Sequence, residues 1–151
     1  MMTNLSEHFT LKDLVYSHDA QAQGIDNTPT PEIVANLARL CAVALEPARA
    51  IWGVPVHIDS GYRCKALNTF EHGAWDSEHL LGHAADCVPQ GIRLIDAFLA
   101  IRRSSIPFDQ LIIENNAWIH IGLAADGVLP RLECLVAQGA PGHWTYVPYT
   151  P

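Results

Sequence analysis

The stretch from Ser60 to Asp86 constrains this chain most, because it places Arg63, His79 and Asp86 in a segment interrupted by three glycines. Glycines let a backbone turn sharply, so polar side chains that are distant in sequence can be gathered in one place. His79 and Asp86 would lie about 10 Å apart along one helix and about 23 Å apart along one strand. Ligands of one zinc ion each lie about 2 Å from it, so a shared metal requires the chain to fold back between them.

Gly82 is the expected place for this reversal, since it lies between the two polar residues. The segment that follows it, Ala84-Ala85-Asp86-Cys87-Val88, is predicted to return as a short strand. Side chains alternate between the two faces of a strand, so Ala84, Asp86 and Val88 share one face. Cys87 then points the other way, toward the core.

A third candidate ligand lies in the segment from Asp109 to Gly122, which reads as a hairpin with two apolar runs around Asn115-Asn116. Asparagine tolerates the left-handed conformations of a tight turn. On the second strand two isoleucines point toward a core, while Trp118 and His120 point the opposite way. Two histidines and one carboxylate, with a fourth position left for water, are the ligand set of catalytic rather than structural zinc.

The pattern Ser77-x-His79-x-x-Gly82-x-Ala84-x-Asp86, followed by Trp118-x-His120, resembles the zinc D-Ala-D-Ala carboxypeptidase and endolysin family, peptidase M15, which has the hedgehog/DD-peptidase fold. A ten-position motif with a distant Trp-x-His is a specific signal. The resemblance runs from about residue 5 to about residue 125 and includes three further segments: Leu5 to Leu11, Ser60-Gly61-Tyr62-Arg63 with Leu67-Asn68, and Phe108 to Ile112.

The resemblance implies a zinc metallopeptidase in which His79, Asp86 and His120 bind the metal and Arg63 contacts the substrate or the oxyanion. Metal-activated water would hydrolyse peptidoglycan peptide bonds that involve D-amino acids, in a carboxypeptidase or an endolysin-type endopeptidase. Ser77 and Trp118 are the other candidate substrate contacts. Alternatively, Ser77 caps or orients His79, and Trp118 forms a packing wall of the cleft.

The motif does not identify the residue that acts as general base. The acid often found in the family three residues before the last ligand is replaced by Ala117. Glu114 is the candidate, with Asp76 and Glu78 as alternatives. If Asn115-Asn116 form a two-residue turn, Glu114 lies across from Ala117 with side-chain carbons about 5 Å apart. Strict alternation would then put Glu114 on the face opposite His120, so twist or a bulge would have to bring its carboxylate round.

Two other classes of function stay open because of Ala117: an inactive zinc-binding module that recognises cell wall, and a structural component of a phage particle.

The charge and the first residues of the chain limit the classes of binding partner that we expect. The formal charge is −7 and the only basic pair is Arg102-Arg103, so neither nucleic acid nor an anionic membrane surface is expected. The first residues show neither a basic leader nor an apolar segment, which predicts cytoplasmic synthesis without a signal peptide. A cell-wall substrate would then be reached by lysis or another route, as for phage or prophage endolysins.

The expected fold is a single α+β domain of 151 residues, with an antiparallel sheet packed against helices. The sheet carries Asp86 and His120. Helical periodicity predicts one helix over Pro31–Trp52 and another over Ile92–Ser104, and a capping box at Thr10 predicts a short helix before them. The tail from residue 139 to 151 is rich in turn residues and is expected to pack irregularly. Nothing in the sequence indicates an oligomeric state.

Overall fold

The structure, a computed structural model, describes residues 3–151 and has an α+β fold in which one six-stranded sheet packs against helices. The strands are β1 (Val56–Ser60), β2 (Ala84–Pro89), β3 (Gln110–Glu114), β4 (Trp118–Gly122), β5 (Glu133–Ala140) and β6 (His143–Pro148). Their order in the sheet is β1-β2-β4-β3-β5-β6, and every neighbouring pair is antiparallel except β3 with β5. The predicted fold class is thus confirmed, with one parallel pair added.

Two short helices begin the fold. The predicted capping box is present: Thr10 and Asp13 satisfy each other's backbone amides at the start of α1 (Leu11–Val15). The second helix, α2 (His18–Gln23), was not predicted; Ser17 caps its first turn and Gly24 ends it in a left-handed conformation. Because α1 buries Leu14 completely, it anchors this end of the chain to the core.

The long predicted helix is present, but its middle is wider than an α-helix. It consists of α3 (Pro31–Leu40), a π-helical turn (Cys41–Leu45) and α4 (Glu46–Trp52). Pro47 lacks an amide hydrogen and would clash with the carbonyl four residues earlier in a regular helix. The wider turn just before it accommodates the proline without ending the helix. Gly53, with a φ of 67°, ends it instead.

Two further helices follow, α5 (Lys65–Phe70) and α6 (Leu94–Arg102). The core lies between the long helix, α6 and one face of the sheet. Phe98 on α6 and Ile119 and Ile121 on β4 are fully buried. The indole nitrogen of Trp52 donates to the Ala97 carbonyl over 3.0 Å and ties α4 to α6. Because this face of the sheet is covered, the residues that alternate with the core residues of β2, β3 and β4 are left for the opposite face.

The tail is where the structure departs most from expectation. Residues 139–151 were predicted to pack irregularly, but most of them belong to β5 and β6, which extend the sheet beyond β3. In this extension Glu114 lies beside Ala137, and Ala137 lies opposite Tyr146. The tail therefore adds side chains to the face that carries the polar residues. Across residues 3–151, none of the helices combines the length and apolar character needed to cross a membrane.

Candidate metal and catalytic site

Three elements bring the predicted ligands together. Asp86 on β2 and His120 on β4 are direct partners across the antiparallel ladder, and both face away from the core. His79 lies on a 3₁₀ helix (Glu78–Leu81), which Gly82 ends at a φ of 69°. The chain therefore reverses at Gly82, as the spacing of His79 and Asp86 requires, and returns along β2. All three polar side chains are buried.

One side-chain atom from each of these three residues lies at the corner of a nearly equilateral triangle. Its sides are 3.0 Å from His120 Nδ1 to Asp86 Oδ1, 3.2 Å from His120 Nδ1 to His79 Nε2, and 3.3 Å from His79 Nε2 to Asp86 Oδ1. Ligands about 2.0–2.1 Å from a tetrahedral zinc ion lie about 3.3 Å from one another. Two imidazole nitrogens and a carboxylate oxygen at these separations fit one metal ion, and they leave one coordination position open.

A backbone carbonyl in the segment before α5 (Lys65–Phe70) orients the His79 ring. His79 Nδ1 lies 2.6 Å from the carbonyl oxygen of Gly61, which can only accept, so Nδ1 carries the hydrogen and Nε2 faces the triangle. A β-bulge in β1 places Ser60 opposite Asp86 and so delivers Gly61 to this position. Gly61 has no room for a side chain, because a Cβ there would lie 2.3 Å from the Leu14 carbonyl oxygen.

In the metal-free protein the three buried side chains of the triad shift one another's pKa values. Burial lowers the pKa of His120, but the carboxylates of Asp86 and Glu78 outweigh it and raise that pKa to about 10. Burial lowers the pKa of His79 and is only partly offset by Asp86. Burial alone would raise the pKa of Asp86, yet the two histidines hold it well below its usual range. The raised pKa favours a protonated His120 beside the Asp86 carboxylate, and a metal ion bound at His120 would have to displace that proton.

Arg63 lies beside the triad with its guanidinium between two carboxylates. Its Nη2 is 3.5 Å from Asp86 Oδ2 and its Nη1 is 3.4 Å from Glu71 Oε2, and 13% of its side chain is exposed. The backbone amide of Arg63 also donates to the His79 carbonyl. Sequence reasoning missed Glu71, since no motif spacing points to it. Arg63 is thus already paired at the edge of the site.

Glu114 lies on the same face of the sheet as His120, which corrects the expected register. The hairpin pairs Glu114 with Trp118, not with Ala117, because its loop has three residues, two of them asparagines with φ of 49° and 50°. Trp118 Nε1 donates to Glu114 Oε2 over 2.9 Å. Burial and the nearby Asp86 raise the pKa of Glu114. A carboxylate held by one oxygen therefore lies on the face that carries the triad.

The other candidates next to His79 have different positions. Ser77 Oγ accepts from the backbone amide of His79 over 3.4 Å, which is the capping role considered for it. Asp76 is exposed and lines the cleft that contains the triad. Glu78 lies beyond the His120 ring, with its Oε2 3.6 Å from Nε2, the ring nitrogen that faces away from the triangle. Of the three candidate acids, Glu114 alone shares the face of the triad without an imidazole in between.

A cleft of about 1100 Å³ contains all these groups. Its wall includes Trp118, whose ring packs edge-on against that of Trp144 with centroids 6.3 Å apart. Tyr146, two residues further along β6, also lines the cleft. Sequence reasoning missed both β6 aromatics, although the alternation Trp-Thr-Tyr-Val over residues 144–147 is a strand signal that could have revealed them.

Comparison with known families agrees with this geometry. A sequence model described as Peptidase M15 matches residues 7–122, from just before α1 to the end of β4. The match includes the triad, Arg63 and Glu114, and it ends before β5 and β6. Comparison with curated proteins finds no match.

Proposed function

The chain belongs to the peptidase M15 family, whose members are metal-dependent peptidases, and from this premise we propose that it is a zinc-dependent hydrolase of peptidoglycan peptides. In this proposal His79, Asp86 and His120 hold the zinc ion. The bonds cleaved involve D-amino acids. The observation that carries the proposal is the triangle of ligand atoms with 3.0–3.3 Å sides, which shares its face of the sheet with a buried carboxylate.

A bound zinc ion would supply Lewis acidity for the substrate carbonyl and would lower the pKa of a water molecule. The protein supplies the proton transfers. Glu114 takes a proton from the water as it adds to the peptide carbonyl, and it delivers a proton to the leaving nitrogen as the C–N bond breaks. Trp118 holds one oxygen of this carboxylate and leaves the other free for the proton. This arrangement favours an active peptidase over an inactive recognition module.

The pairing of Arg63 bears on which bond is cut. A guanidinium already balanced by Asp86 and Glu71 is a weak anchor for the terminal carboxylate that a carboxypeptidase substrate presents. It remains suited to a neutral carbonyl or to the oxyanion that develops from it. We therefore favour cleavage within the peptide over removal of its last residue, with Arg63, Ser77 and Trp118 as the substrate contacts.

Turnover of purified muropeptides tests the proposal. The zinc-loaded protein should release peptide fragments that mass spectrometry identifies, and a chelator should stop the reaction until zinc is restored. An internal cut and loss of a single terminal residue give different masses, so the same experiment separates the two activities. Stoichiometric zinc without any cleavage would contradict the peptidase and favour a recognition module. A His120→Ala variant that keeps equally tight zinc would remove His120 from the ligand set.

A further inference from the structure

We propose that Glu78 is a positioning residue for the metal site: it accepts the Nε2–H of His120 and so holds the opposite ring nitrogen toward His79 and Asp86. The inference rests on the proposed metal site but not on the reaction performed there. It assigns a role to a carboxylate that the proposed mechanism does not use.

The two nitrogens of the His120 ring face different partners. Nδ1 lies 3.0 Å from Asp86 Oδ1 and 3.2 Å from His79 Nε2, whereas Nε2 lies 3.6 Å from Glu78 Oε2. Metal-ligating histidines commonly donate their second ring N–H to a carboxylate or a carbonyl, which fixes the tautomer and the orientation of the ring. His79 has such a partner in the Gly61 carbonyl. Glu78 is placed to be the equivalent partner for His120.

The oxygen that faces the ring needs a donor. Glu78 Oε2 is buried and has no hydrogen-bond partner among residues 3–151. A buried oxygen without a hydrogen-bond donor destabilises the fold, and more so if it is charged. A closer approach of about 0.7 Å would bring His120 Nε2 to an ordinary hydrogen-bond distance. The Nε2–H of His120 would thus give Glu78 Oε2 a hydrogen-bond donor, and this hydrogen bond would fix the orientation of the His120 ring.

Gly122 provides the space for this carboxylate. It lies two residues after His120 on β4, and therefore on the same face of the sheet. A Cβ built at Gly122 would lie 1.7 Å from Glu78 Oε2. The carboxylate of Glu78 thus occupies the position that any other residue at 122 would fill with its side chain.

The other oxygen of Glu78 faces a fixed cation. Arg131 Nη2 lies 3.9 Å from Glu78 Oε1, and Asp109 holds this arginine through three bonds. The backbone amide, Nε and Nη2 of Arg131 donate to the Asp109 carboxylate over 2.8, 2.8 and 2.6 Å. Arg131 lies on the connection between β4 and β5, beyond the residues that the family model matches. Support for the ring therefore comes from a part of the chain outside the family motif.

Zinc affinity, measured by competition with a chromogenic chelator, tests the inference without any substrate. Glu78→Ala should weaken zinc binding by about 10- to 100-fold, as expected for removal of the partner of a metal-ligating histidine. Glu78→Gln keeps an acceptor oxygen and should restore most of the affinity. Glu133→Gln is the matched control, because Glu133 Oε2 also lies against Arg131, 3.6 Å from its Nη1, and Glu133 makes no hydrogen bond or ion pair with His120; this variant should change zinc affinity less than twofold.

A double-mutant cycle separates positioning from general damage. Gly122→Ala should lower zinc affinity in the wild-type background by displacing Glu78, and it should have little further effect in Glu78→Ala. The visible spectrum of the Co²⁺-substituted protein should change in Glu78→Ala and not in Glu133→Gln. If Glu78→Ala binds zinc as tightly as the wild type, or if Glu133→Gln loses as much affinity, the positioning role is wrong. A wild-type protein that binds no zinc would instead contradict the proposed function itself.

Discussion

Glu114 and Trp118 are direct partners across the β3–β4 hairpin, and the indole nitrogen of Trp118 donates to the Glu114 carboxylate over 2.9 Å. The pairing depends on the length of the loop between them. A two-residue loop would pair Glu114 with Ala117 and turn its side chain toward the core side of the sheet. The three-residue loop places both side chains on the face that carries Asp86 and His120.

Glu114→Gln keeps the size and the hydrogen bond to Trp118 but removes the base. We expect kcat on muropeptides to fall by about 100-fold or more, with zinc content unchanged by metal analysis. Near-normal kcat in this variant would contradict the assignment of the base. In that case Asp76→Asn is the next variant to measure, because Asp76 lines the same cleft.

Trp118→Phe removes the indole N–H while keeping an aromatic wall. Glu114 then loses a fixed orientation, and kcat should fall about tenfold, which corresponds to ~1.4 kcal/mol of transition-state stabilisation. Trp144→Phe is the matched control, since Trp144 packs against Trp118 without a hydrogen bond to Glu114. An equal loss of kcat in the two variants would indicate an effect of packing and not of the hydrogen bond.

The raised pKa of Glu114 gives the metal-free protein a defined pH dependence. Because the native pKa lies above the unfolded value of 4.5, the native state binds more protons than the unfolded state between these two pKa values. Glu114 therefore adds to the free energy of unfolding. This contribution is largest below pH 4.5 and is lost as pH rises through the native pKa of Glu114. Urea denaturation of the metal-free wild type at rising pH should show this loss, and Glu114→Gln should lack it. Parallel profiles for the two proteins would contradict it.

Gly61→Ala should affect both stability and metal binding. Its Cβ would lie 2.3 Å from the Leu14 carbonyl oxygen, which is backbone and cannot move away by a change of rotamer. Overpacking of this kind costs about 1–3 kcal/mol in the free energy of unfolding. Since the Gly61 carbonyl accepts from His79 Nδ1, displacing it should also weaken zinc binding. Gly91→Ala is a control glycine with positive φ, 77°, and open space around it; it should leave zinc affinity unchanged.

The sequence was most informative where local periodicity and motif spacing act together. The reversal at Gly82 and the outward faces of Asp86 and His120 follow from alternation and from the need to bring two ligands to one ion. The helix over Pro31–Trp52 follows from its apolar period, although its π-helical turn depends on packing around Pro47 that no periodicity encodes.

Relationships between distant segments could not be predicted in this way. The face of Glu114 depends on one residue of loop length, and two adjacent asparagines are compatible with both a two-residue and a three-residue loop. Two ion pairs are examples: Arg63 with Glu71, and Arg131 with Asp109. The sequence separations of these residues carry no periodic signal. The tail was read as irregular because its glycines and prolines suggest turns, yet its strand alternation is satisfied by pairing β6 with β5.

The position of β6 at the open edge of the sheet has a consequence for how such a protein can diversify. The residues proposed to hold the metal and transfer protons precede Leu123, whereas Trp144 and Tyr146 reach the cleft from a strand that is bonded only to β5. Exchange of a few residues in this last hairpin would reshape the entrance while leaving the reactive centre intact. One wall of the cleft is thus encoded downstream of the residues proposed to bind the metal and transfer protons, and this wall can evolve, or be engineered, while those residues stay unchanged.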